Sequence, residues 1–172
     1  MKHTRRLSLL AGTLVVLAGT LALQAVAGPP NHANRLEATF AETNVSVTNR
    51  IADLGVFQLI NTGTGTVEGL GDATVTVSAT QDRSVQPCGP GSWTNAGIRR
   101  IGLEGSVLVI RELVHICQTD SGPVGTGHWE VDGPSSTGIF ADARGSGEVR
   151  IVISSRTAQL SGSLKLVGQQ GS

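Results

Sequence analysis

The sequence has no tyrosine, only three phenylalanines and two tryptophans, and one methionine. Lysine is almost missing: after Lys2 the chain carries only Lys165. No basic stripe runs through it, which excludes nucleic acid as a partner. Cysteine is limited to Cys88 and Cys117. Two cysteines alone make a poor zinc site, and their spacing does not suit CxxC redox chemistry. No long stretch repeats with helical periodicity. No Gly-x-Ser-x-Gly stands at a strand-to-helix turn. Gly145-Ser146-Gly147 lacks that context and has no orienting His–Asp pair, so a serine hydrolase is excluded. Gly63-Thr64-Gly65 and Gly125-Thr126-Gly127 precede no helix and are not phosphate loops.

What is present begins with an export signal. Lys2, Arg5 and Arg6 form a basic start, and an apolar run follows from Leu7 to Leu23. Ala25-Val26-Ala27 supplies the small-x-small pattern that a signal peptidase accepts, so residues 1–27 read as a signal peptide cut after Ala27. The apolar run, about 17 residues, is at the short limit for a bilayer span, and no later segment could cross a membrane. Thr4-Arg5-Arg6-Leu7 resembles a twin-arginine signal, but Ser8 departs from it and favours the general route. Residues 28–172 then form a single domain, secreted or periplasmic. Cleavage removes Lys2, Arg5 and Arg6, so the bases fall from 13 to 10 against 13 acids and the net charge becomes −3.

Glycine is abundant, with 23 residues, and short alternating stretches lie between the glycines. Ala73–Thr80 is the clearest, apolar at odd positions and hydroxylated at even ones. Such alternation marks a half-buried strand. Val149–Ile153 and Leu160–Leu166 alternate similarly, with Gly162 in phase with the leucines. An inward glycine marks a bend of the kind a small barrel needs. Weaker strands are Leu36–Phe40, Val45–Asn49, Val56–Val67, Ser106–Gln118 and Gly125–Val131. About eight strands at close spacing predict an all-β fold, either a small closed antiparallel barrel or a sandwich.

An even pair of cysteines in an oxidising compartment predicts a Cys88–Cys117 disulfide. Cys88 falls in a long loop, Gln81 to Gly97, that contains Pro87, Gly89, Pro90, Gly91 and Trp93. The bridge would staple this loop to the end of an apolar strand at a barrel mouth, with Trp93 covering the opening.

Gly133-Pro134-Ser135-Ser136-Thr137-Gly138-Ile139-Phe140-Ala141-Asp142-Ala143-Arg144-Gly145-Ser146-Gly147 resembles the glycine-rich hairpin of the dirigent and allene oxide cyclase families. Thr137-Gly138-x-Phe140-x-x-Ala143-Arg144-Gly145 carries the match, while Ser135 and Ser136 stand where those families have glycine. The resemblance implies an eight-stranded antiparallel barrel with an apolar cavity, often assembled as a trimer. It also implies, for enzymatic members, guided coupling of phenoxy radicals or cyclisation of a lipid epoxide. No catalytic pattern of those enzymes aligns here, so the resemblance carries the barrel and not the chemistry.

Two groups of residues could carry chemistry. If the hairpin at Asp120-Ser121-Gly122-Pro123 is centred between Ser121 and Gly122, His115 faces His128, and Glu130 shares a face with His128. Two imidazoles and a carboxylate are a weak metal candidate, and a solvated outer face explains them better. In that register Glu112 points inward with Leu108, Ile110, Val114 and Ile116. An inward carboxylate needs a partner, a raised pKa or water at the rim. Glu112 and Trp93 are therefore the candidate ligand-binding residues.

Ser106–Gln118 is apolar on both faces, which predicts that its outer face is covered by another chain or by the N-terminal segment. That favours a homo-oligomer, by the resemblance a trimer. The expected protein is an exported, non-enzymatic barrel without a cofactor that binds a small apolar ligand or acts by protein contact. The alternatives are an enzyme that guides a reaction by cavity shape and a β-sandwich adhesion module.

Overall fold

The alternation of apolar and hydroxylated residues builds one antiparallel sheet that closes on itself. The computed structural model describes residues 35–167. Its strands, in order around the wall, are β1 (Arg35–Ile51), β2 (Val56–Val67), β3 (Gly71–Asp82), β4 (Trp93–Leu103), β5 (Ser106–Thr119), β6 (Gly122–Val131), β7 (Arg144–Val152) and β8 (Thr157–Lys165). Each strand pairs with its neighbour in sequence, and β1 closes the ring on β8. The sandwich alternative is set aside, because every strand lies in one closed wall. The signal peptide and its cleavage point lie outside the described residues. Among the described residues no helix is long and apolar enough to cross a membrane.

The count of eight conceals two differences from the expected strands. Leu36–Phe40 and Val45–Asn49 belong to one strand, β1, which is 17 residues long. Its register shifts between Asn44 and Ser46, where a bulge bends the strand without ending it. β1 pairs with β8 only over Arg35–Ala41, and its outer half pairs with β2 alone. The second difference is β4, which lies partly inside the stretch expected to be loop. The irregular segment is shorter than expected, running only from residue 83 to residue 92 between β3 and β4.

The interior is packed. Leu36, Phe40, Ile101, Leu108, Ile110, Val114, Ile116, Trp129 and Leu160 are at most 2% exposed. Phe140, from the β6–β7 connection, joins this core with no exposed surface. That connection carries two short 3₁₀ turns, Gly133–Ser135 and Gly138–Phe140. It lies along β5, where Asp132 N–H donates to the Val109 carbonyl at 2.8 Å and Val109 N–H donates to Ser136 Oγ at 2.9 Å. Val109, on the outer face, is 1% exposed there. Part of the apolar excess on β5 is thus covered within the chain, by the β6–β7 connection, whereas Leu113 stays exposed.

Glycines make room for Trp129, the buried tryptophan of the barrel wall. Trp129 donates its indole N–H to the Glu148 carbonyl at 2.9 Å, and its ring lies over Gly147 and Gly162. A Cβ at Gly162 would stand 2.7 Å from that ring and 2.5 Å from the Gly147 Cα. Backbone and a buried indole cannot both give way, so Gly162→Ala should cost about 1–3 kcal/mol by overpacking. Chemical denaturation of the variant against the parent measures it, and an unchanged midpoint would contradict this account of Gly162.

Candidate functional site

The inward positions of β1, β4 and β5 place charge at the centre of the barrel. On β1 the inward series Leu36, Ala38, Phe40 ends on Glu42. On β4 it runs Trp93, Asn95, Gly97, Arg99, Ile101, and on β5 Glu112 lies between Ile110 and Val114. Arg99 has no exposed surface, and Glu42 and Glu112 are each 8% exposed. Arg99 Nε donates to Glu112 Oε2 at 2.9 Å and Nη2 donates to Glu112 Oε1 at 3.2 Å. Its Nη1 donates to Glu42 Oε1. Asn61 Nδ2 reaches Glu42 Oε2 at 3.5 Å.

A planar guanidinium held by two carboxylates satisfies most of its donors without water. Burial alone pulls the Arg99 pKa down. The facing charges of Glu112 and Glu42 outweigh that, and the pKa rises above the ordinary arginine range. The two carboxylates thus favour the charged form of Arg99. With both carboxylates ionised, the cluster carries a formal charge of −1. Glu112, expected inward, is inward and paired. Its partner Arg99 and the second carboxylate Glu42 were not foreseen. Glu42 had a signal, since it continues the Leu36–Ala38–Phe40 phase.

Above this cluster the inward side chains are more open. Trp93 and Phe57 are half-buried. Trp93 is the first residue of β4, opposite Ile116, and not part of a free loop. Arg83 lies over both rings, its Cζ 5.1 Å from the Phe57 centroid and 5.6 Å from the Trp93 centroid. With its amide oxygen turned toward Arg83, Gln81 accepts from Arg83 Nε at 2.6 Å. Arg83 N–H donates to the Gly55 carbonyl at 3.1 Å. One inward step from Trp93, Asn95 Oδ1 is buried and has no hydrogen-bond partner. The connection between β3 and β4 is held by the Cys88–Cys117 disulfide, with Cα atoms 5.6 Å apart, and by Gln118 Nε2 donating to the Gly91 carbonyl at 3.0 Å.

The histidines lie on the outer wall, in a register two residues from the one supposed. His115 pairs with Thr126, and His128 pairs with Leu113. The hairpin centre falls between Asp120 and Ser121, because Gly122, at φ +104°, already belongs to β6 opposite Thr119. A shift of two residues preserves the faces. His115 Nδ1 lies 3.0 Å from Thr94 Oγ1. Glu130 is exposed and pairs with Arg111 on β5. Among the described residues no group of three or more His, Cys, Asp or Glu side chains is placed to hold a metal ion. A depression of about 1010 Å³ opens on this wall, with Leu113, His115, His128, Glu148 and Arg150 in its lining.

No family model, no curated protein and no solved structure matches the chain.

Proposed function

We propose that the protein is an exported, non-enzymatic barrel that binds a small, largely apolar ligand at its mouth. The observation that carries this reading is the pair of half-buried rings, Phe57 and Trp93, which face the exposed Arg83 side chain above a buried polar layer. Ligand sites combine apolar walls with a few placed polar groups, and Asn95 Oδ1 supplies an unused acceptor there. The stapled connection keeps this rim in shape before a ligand arrives, which reduces the entropy lost on binding.

The depth of the barrel argues against chemistry guided by a large cavity. Phe40, Arg99, Ile101, Ile110, Val114 and Ile116 have no accessible surface, so no space that admits a water molecule adjoins them. A dirigent-like or cyclase-like enzyme needs such a space, and the mouth alone is left for a ligand. The neutral apolar fluorophore 1-aminoanthracene is a suitable probe. It should bind the purified protein saturably, and Trp93→Ala should weaken binding about tenfold, the loss of one aromatic contact. Equal binding by the variant would move the site away from the mouth.

Protein contact is supported by a separate observation, the outer depression with the exposed Leu113 at its edge. A homo-oligomer formed through this wall, a trimer if the family resemblance extends to assembly, would bury Leu113. Light scattering at micromolar concentration that reads a monomer removes this second reading.

A further inference from the structure

We infer that the mouth is a site for a small organic cation bearing N–H donors, an alkylammonium or alkylguanidinium, and that Arg83 is its resident competitor. This rests on the mouth reading above and adds the ligand's charge and the residue that regulates access. Arg83 is exposed, yet its guanidinium lies within 6 Å of two aromatic centroids, 5.1 Å over Phe57 and 5.6 Å over Trp93. Two rings around one cation form the arrangement by which proteins recognise cationic ligands, drawn by the negative ring faces. The position is thus shown to accept a guanidinium, because one occupies it.

Two further features favour a cation over a neutral guest, and a third lets Arg83 make way for it. Asn95 Oδ1, on the next inward position of β4, is a buried acceptor without a donor, and an N–H beyond the aromatic pair would supply one. Adjacent inward positions are about 6.6 Å apart along a strand, within the span of a short alkyl cation. Below them, Glu42 and Glu112 both pair with the single guanidinium of Arg99, so carboxyl oxygens outnumber the guanidinium donors that face them and favour a positive guest. Arg83 is also the residue best able to leave. It is the first residue of the β3–β4 connection and has water on its open side. Its side chain gives up the Gln81 acceptor when it swings out, while the backbone bond to Gly55 keeps the connection in place.

The chain has two tryptophans, so two indole N–H resonances report two sites: Trp93 at the mouth and Trp129 in the core. Agmatine, with a guanidinium at one end and an ammonium at the other, is the probe. It should shift the Trp93 resonance saturably and leave Trp129 unmoved. Arg83→Ala should tighten agmatine binding roughly tenfold by vacating the rings, the size expected of two cation–π contacts. Arg83→Lys should restore the competition. An unmoved Trp129 resonance shows that each variant is folded, and Arg83→Gln replaces the alanine variant should that one unfold. The inference is overturned if Arg83→Ala binds agmatine no more tightly than the parent, or if no variant shows a saturable Trp93 shift. 1-Aminoanthracene separates the two readings. If it moves Trp93 and agmatine does not, the cation inference falls and the mouth site stands; if neither moves Trp93, both fall.

Discussion

Arg99→Met should destabilise the barrel by about 3–5 kcal/mol, the usual cost of removing one partner from a buried ionic group. The variant leaves Glu42 and Glu112 facing each other without their shared cation, and both are almost wholly shielded from water. Chemical denaturation at neutral pH measures the loss. The triple replacement Glu42→Met, Arg99→Met, Glu112→Leu should recover most of it, because an apolar set of similar volume does not have to desolvate charge. If the triple variant were as unstable as Arg99→Met, the cost would lie in packing volume and not in unpaired charge. If Arg99→Met itself cost under about 1 kcal/mol, the cluster would be solvated, and the closed interior described above would be wrong.

Cys88→Ser should lower stability by about 3–4 kcal/mol at most, the chain-entropy value for a loop of this length, and leave the barrel folded. The bridge spans a sequence separation of 29 and joins the β3–β4 connection to the end of β5. Cys117 is fixed in the wall by pairing with Val124, whereas Cys88 is exposed among turn residues. Hydrogen exchange should therefore quicken in residues 83–92 and not in β4 or β5. Exchange that quickens throughout the barrel would show that the disulfide serves the whole fold and not this connection. Two free thiols in unreduced protein would remove the staple altogether.

Strands with one wet face and one apolar face were legible in the sequence. β2 has the expected limits, and β3, β5 and β8 lie within a few residues of their predicted spans. β4 was not legible, and the reason is the site itself. Its inward positions are Trp93, Asn95, Gly97, Arg99 and Ile101, so the face that should read as apolar is half polar. A buried charge cluster erases the alternation of the strand that carries it. Arg99-Arg100 adds a second ambiguity, since adjacent arginines do not reveal which one points inward. Glu112 could be read from the supposed hairpin register, because the two-residue shift from that register left its face unchanged. The His115 register failed for a local reason: Gly122 joins the ladder at a positive φ and moves the turn one residue earlier.

The wall is a meander in which every pairing but one joins strands consecutive in sequence, and the exception is the closure of β1 on β8. Seven pairings join strands consecutive in sequence, each at the modest entropic cost of closing a loop of about a dozen residues or fewer. The ring is complete only when the two most distant strands of the domain meet, and that contact bears the loop-closure entropy of nearly the whole domain. Folding should then be slow for the chain's size, in the millisecond-to-second range of barrels rich in non-local contacts. Until closure, β1 and β8 are bare edges in an otherwise formed sheet, the state in which a β-protein is most prone to pair with another chain.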